Sequence, residues 1–106
     1  LDLTVNTNLI EIVCDDIGLT SIDISGLTTL ERVSLRGNNL ATIDVSTNSQ
    51  LSYLNIDKNN FTTTVDVSAN TTLSDLRIRE NSLTTLDLTN NINLTQLYLD
   101  NNSLST

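Results

Sequence analysis

The chain has 106 residues, a formal net charge of −8 and three aromatic residues, Tyr53, Phe61 and Tyr98. This acidity excludes nucleic acid as a partner, because phosphate binding needs a basic patch, and it disfavours docking on anionic lipid. No apolar run approaches the roughly 18 residues of a membrane-crossing helix, so direct membrane insertion is not expected either.

Enzymatic chemistry finds no support. Histidine is absent, which removes Ser–His and Cys–His nucleophile pairs. No glycine-rich phosphate loop and no cluster with metal-ligand spacing occurs. Cys14 is the sole cysteine, so no internal disulfide forms.

The chain is built from one repeating unit. Residues 1–18 are a partial repeat, entered mid-pattern at Leu1 without a Met, and the chain is therefore read as a mature piece or a fragment of a longer protein. Residues 19–39 read LTSIDISGLTTLERVSLRGNN and residues 40–60 read LATIDVSTNSQLSYLNIDKNN. Residues 61–82 read FTTTVDVSANTTLSDLRIRENS, one residue longer, with the extra residue among Thr62, Thr63 and Thr64; a bulged turn is expected there. Residues 83–103 read LTTLDLTNNINLTQLYLDNNS, and 104–106 begin a further unit. The period is otherwise 21, and the five repeats form one domain.

Each unit holds the same half-pattern twice, L-x-x-L-x-L-x-x-N, defining face A and then face B. Each L-x-L reads as a short alternating strand with two side chains inward and one outward. Six apolar columns result, among them Cys14, Leu35, Ile56, Ile78, Leu99 and Leu9, Leu30, Leu51, Leu73, Leu94. No single repeat can bury these residues alone; stacked repeats bury them in one continuous core. Two asparagine columns mark the turns: Asn6, Asn48, Asn70, Asn91 and Asn38, Asn59, Asn81, Asn102. An inward Asn can bond backbone groups of its own turn and of the next coil. Leu27 and Ile17 replace Asn in these columns. The pattern predicts an all-β solenoid with short parallel strands on one or both faces and asparagine-ladder turns.

The pattern LxxLxLxxNxxLxxLxLxxNx resembles the nested 21-residue leucine-rich repeats, the IRREKO type, of bacterial surface and secreted proteins. Runs such as LTTLDLTNN and LSYLNIDKNN are similar to those in secreted proteins of Bacteroidetes. The resemblance covers the whole chain. It implies a right-handed superhelix, extracellular or cell-surface placement, and a role in adhesion or protein recognition. It carries over no active site.

The two outward faces differ. Face A repeats itself: Asp2, Asp23, Asp44, Asp66 and Asp87 run up its centre, flanked by Ser and Thr. Like charges about 5 Å apart repel by roughly 1 kcal/mol per pair in water, so something must offset them. Solvation with hydrogen bonds from the flanking hydroxyls is one answer. Calcium held between Asp23, Asp44, Asp66 and Asp87 is another, since calcium takes oxygen ligands; no other cofactor is expected.

Face B varies. Its centre is Val13, Ser34, Asn55, Arg77, Tyr98, preceded by Glu11, Arg32, Tyr53, Asp75, Gln96 and followed by Asp15, Arg36, Asp57, Arg79, Asp100. The last column alternates in sign. Tyr and Arg side by side mark interfaces. Arg32, Ser34, Arg36, Tyr53, Asn55, Asp57, Asp75, Arg77, Arg79, Gln96, Tyr98 and Asp100 are accordingly the candidate contacts for a protein or glycan ligand. The competing readings are a solvated face whose charge pairs settle strand register, and a stiff spacer or fibre segment that associates end to end through uncapped coils.

Overall fold

A computed structural model describes residues 1–105; Thr106, in the partial unit that starts at Leu104, lies outside them. The described residues form five strands and no helix. They are β1 (Glu11–Val13), β2 (Arg32–Ser34), β3 (Tyr53–Asn55), β4 (Asp75–Arg77) and β5 (Gln96–Tyr98). Each is centred on one inward aliphatic residue: Ile12, Val33, Leu54, Leu76 or Leu97.

The strands pair in parallel in the order β1-β2-β3-β4-β5. Glu11, Arg32, Tyr53, Asp75 and Gln96 lie opposite one another in succession. This is the register of the sequence columns, including the offset of 22 across the long repeat. A slip of one residue would turn every inward side chain outward, so the buried face holds the register. The ladder runs past each strand. Cys14 N–H donates to Ser34 O at 2.9 Å and Asp16 N–H to Arg36 O at 2.8 Å, and later coils repeat these bonds.

Burial follows the columns. Leu35, Ile56 and Ile78 are fully buried, as are Leu30, Leu51, Leu73, Leu54 and Leu76. Burying each such side chain stabilises by roughly 1.5–3 kcal/mol. Cys14 is partly buried and packs against this core as a small hydrophobe. The outermost coils are less covered, with Leu1, Leu97 and Leu104 exposed.

Among the described residues face A carries no regular strand, and the sheet lies on face B. The backbone there folds into successive turns. Leu27 N–H donates to Ile24 O and Leu30 N–H to Leu27 O, and the same pair recurs at Asn48 and Leu51, at Asn70 and Leu73, and at Asn91 and Leu94. Aspartate favours this geometry because its carboxylate accepts from the N–H two residues on. Amides bonded within a coil are unavailable to a ladder between coils. Side chains bridge the coils instead: Thr29 donates to Leu9 O, Thr47 to Ser25 O, Thr72 to Leu51 O and Asn93 to Thr71 O.

The two asparagine columns work differently. Asn59 Nδ2 donates to Leu35 O, Ile56 O and Asp57 O, while its Oδ1 accepts from Leu40 N–H. Both ends of the amide are used. Asn70 Nδ2 donates to Val45 O and Asn48 O, but its Oδ1, like those of Asn48 and Asn91, is buried without a protein partner. The half-used column is the one that tolerates Leu27, which is fully buried. Ile17, in the other column, is exposed, and its N–H donates to Asn38 Oδ1.

The extra residue of the long repeat forms a bend at Thr63, whose carbonyl accepts from both Thr84 N–H and Thr85 N–H at 3.0 and 3.1 Å. The register of β3 and β4 is untouched because the insertion lies on the far side of the coil. A further column has no hydrophobic signature: Asp16, Gly37, Lys58, Glu80 and Asn101 all adopt φ between 56° and 73°. Each coil turns here in the left-handed region, which costs a non-glycine residue roughly 1–2 kcal/mol. Gly37 suits this place by its φ of 73°; a Cβ there would displace only the exposed Asp16 carboxylate.

Candidate partner-binding face

The outward surface of β1–β5 is held in register by the ladder beneath it, and its side chains organise one another across coils. The Arg32 guanidinium lies 4.3 Å from the centroid of the Tyr53 ring, and that of Arg77 lies 5.4 Å from the same ring. Arg77 lies 4.7 Å and Arg79 5.1 Å from the Tyr98 ring. Guanidinium groups are attracted to ring faces by the aromatic quadrupole. The result is an alternating stack, Arg32–Tyr53–Arg77–Tyr98, running up the face from coil to coil.

Carboxylates fix the arginines from the side. Arg32 Nε donates to Glu11 at 3.0 Å. Arg77 grips Asp75 through Nε and Nη2 at 3.0 and 3.1 Å, a two-point contact that holds it between the rings. Arg79 donates through Nε and Nη2 to Asp57 at 3.0 and 2.8 Å. The Asp75 hydrogen bonds push Arg77 further above its ordinary value, and those of Asp57 do the same for Arg79. Arg36 pairs more loosely with Asp16, at 3.8 Å.

The twelve sequence-derived contacts therefore divide. Arg32, Arg36, Tyr53, Asp75, Arg77, Arg79, Gln96, Tyr98 and Asp100 reach the surface. Ser34, Asn55 and Asp57 are buried, which corrects the expectation that they point to a ligand. Ser34 Oγ donates to Asp15, Asn55 Oδ1 accepts from Asp57 N–H, and Asn55 Nδ2 donates to the Tyr53 hydroxyl. Asp57 is 2 % exposed and also accepts from Arg79 N–H. Asp15 likewise accepts from Arg36 N–H. The alternation of sign in this column thus serves coil-to-coil hydrogen bonding as well as charge pairing. Val13 went unselected, yet it is 61 % exposed and borders a shallow hollow over β1 and β2, walled by Arg32 and Tyr53. An aliphatic residue in the central outward column of face B was the signal for it.

Face A is chemically different. Asp23 Oδ1 accepts from Ser25 Oγ at 2.7 Å and Ser25 N–H at 3.0 Å. Asp2, Asp44, Asp66 and Asp87 do the same with Thr4, Ser46, Ser68 and Thr89. These bonds hold the carboxyls below their ordinary value despite the neighbouring charges; the hydroxyl bond is the larger cause at Asp23, Asp44 and Asp66, the backbone bond at Asp2 and Asp87. Among the described residues no three acidic or thiol side chains come together as a metal cage. Asp23, Asp44, Asp66 and Asp87 lie on separate turns, and each spends its Oδ1 on its own turn.

No protein-family profile matches the chain, and no curated protein matches it. Solved structures do. The functional domain of InlJ from Listeria monocytogenes, which includes a cysteine ladder, is 32 % identical over 100 % of this chain and 28 % of that one, with a TM-score of 0.73. A leucine-rich-repeat protein of Leptospira interrogans is 24 % identical over 83 % of this chain and 24 % of that one, at a TM-score of 0.78. Internalin C2 of Listeria monocytogenes is 26 % identical over 78 % and 38 %, at 0.70. The chain has the leucine-rich-repeat fold. It spans about a quarter to two fifths of the length of these neighbours. Its leucine-rich-repeat sheet is the element on which the Arg–Tyr stack is mounted, and no helix among the described residues is long and apolar enough to cross a membrane.

Proposed function

We propose that residues 1–106 act as one non-catalytic binding module that recognises an extracellular protein or glycan through the outward face of β1–β5. The observation that carries this reading is the Arg32–Tyr53–Arg77–Tyr98 stack, mounted on the face whose outward residues change from coil to coil. Rigid aromatic and guanidinium groups lose little freedom on binding and dominate interface energetics. The likeness of the repeats to those of bacterial surface and secreted proteins supports an extracellular or cell-surface setting in a bacterium, and the internalin neighbours support a protein-binding role. The test is a panel of purified extracellular-matrix proteins and glycans probed with the wild-type chain and with Arg77→Ala/Tyr98→Ala. The double variant should bind at least about tenfold more weakly while keeping its circular dichroism spectrum. Equal affinity would count against the reading.

The alternative, a spacer or fibre segment stacking end to end, draws on the exposed apolar residues Leu1, Leu97 and Leu104. The columns oppose it. In-phase stacking of a second copy on β5 would set Asp15 beside Asp100 and Val13 beside Tyr98, and would bring Ile17 where an Asn amide is needed. Light scattering should show a monomer; growth of long species with concentration favours the fibre.

A further inference from the structure

The stack also constrains the chemistry of what it can hold, an inference that rests on the binding reading above and narrows it. A sugar that uses an aromatic ring lays its C–H groups on the ring face. Here Tyr53 receives one guanidinium from each neighbouring coil, at 4.3 and 5.4 Å, and Tyr98 receives those of Arg77 and Arg79. A guanidinium already lies over each ring, in the place a sugar would take.

An anionic ligand is disfavoured on separate grounds. Arg32, Arg77 and Arg79 are each matched by one carboxylate, Glu11, Asp75 and Asp57 respectively, so this cluster of three cations and three anions is neutral. The arginines nevertheless keep donors in hand. Both Nη atoms of Arg32, Nη1 of Arg77 and Nη1 of Arg79 have no hydrogen-bond partner among the described residues. Donors on a neutral cluster suit uncharged acceptors. Beside them, the hollow edged by exposed Val13 and walled by Arg32 and Tyr53 can accept an apolar side chain.

We infer that the face recognises a protein segment, with the free guanidinium donors bonding its main-chain carbonyls and the Val13 hollow taking an apolar side chain, rather than a sugar ring or an anionic group. Asp75 is then a positioning residue, holding Arg77 between the two rings.

The experiment uses the full chain against two probes, a phage-displayed library of random peptides and an array of neutral and sulfated glycans. Peptides rich in uncharged and apolar residues should be enriched. Their affinity should change by less than about threefold between about 0.05 and about 0.5 M NaCl, because no net charge is being screened. Tyr53→Phe should retain the peptides. Arg77→Ala and Arg77→Lys should both lose them, since lysine keeps the charge but not the two-point grip. Glycans held through this face, or acidic peptides whose affinity falls more than about tenfold with salt, would overturn the inference while sparing the binding reading. Peptide binding indifferent to Arg77→Ala, or no ligand from either probe, would overturn both.

Discussion

The two outward faces belong to the same five coils, yet they hold those coils together by different means. On face B, backbone amides pair one coil with the next, and the outward side chains are free to be Val, Ser, Asn, Arg or Tyr. On face A, the turn amides bond within each coil, where Asp caps the turn, and side chains do most of the pairing between coils: Thr and Asn bridge outside, and the inward Asn bridges beneath. The bridges vary from coil to coil, but the cap recurs wherever the turn does, at Asp2, Asp23, Asp44, Asp66 and Asp87. The uniform aspartates are therefore explained by folding, and variation is permitted where the backbone does the joining.

The sharpest way to break that comparison is through the asparagines where the two halves of a coil meet. Asn59→Ala removes three bonds to carbonyls and orphans Leu40 N–H in the interior; about 3 kcal/mol of stability should be lost, read by guanidinium unfolding. Asn70→Ala should cost less, about 2 kcal/mol, because the Val45 carbonyl keeps its turn bond to Asn48 N–H. Asn70→Leu should cost about 1 kcal/mol or less, since it removes a buried unpaired oxygen and mimics Leu27. A larger loss for Asn70→Leu than for Asn59→Ala would invert the ranking of the two columns.

A smaller effect tests the caps. Asp44→Ala and Asp66→Ala should lower the thermal midpoint, while Asp44→Asn, which keeps an accepting oxygen, should lower it less. The carboxyls are depressed in the folded chain, so their contribution is complete above the ordinary carboxylate value of about 3.9 and is lost as pH falls through the lower folded values. Acid unfolding of the wild type should therefore set in below about pH 4 and be blunted in an Asp44→Ala/Asp66→Ala chain. The smallest shift concerns the left-handed column. Lys58→Gly relieves a backbone cost of about 1–2 kcal/mol, adds about 0.5–1 kcal/mol of glycine entropy and gives up a loose 3.8 Å pair with Glu80, leaving a net gain of about 0.5 kcal/mol.

The solenoid was legible because its cause is local and periodic. The spacing of Leu30, Leu51 and Leu73, or of Leu35, Ile56 and Ile78, names the core and the strand register together. Three features were not legible. Face A was open to being a second sheet, since L-x-L reads alike in both halves; its turns depend on the Asp and Ser two residues apart, a signal of hydrogen bonding and not of hydrophobic period. The left-handed column hides because Lys58 and Glu80 carry no turn signature, although Gly37, Asn101 and Asp16 do. Ser34, Asn55 and Asp57 alternate outward by pattern but lie covered, because an outward position is sheltered when a neighbour is as large as Tyr53 or as tightly paired as Arg79. Coverage of that kind depends on which residues meet across coils, and a single-column reading does not see it.

One pair of fourfold variants weighs the two faces directly. In the first, Asp23, Asp44, Asp66 and Asp87 become Ala; in the second, Val13, Arg32, Gln96 and Tyr98 become Ala. Unfolding midpoints in guanidinium should fall steeply for the aspartate variant and stay close to wild type for the face B variant. If instead the aspartate variant keeps its midpoint and the face B variant collapses, the uniform face is not holding the coils together, and the division of labour between the faces is wrong.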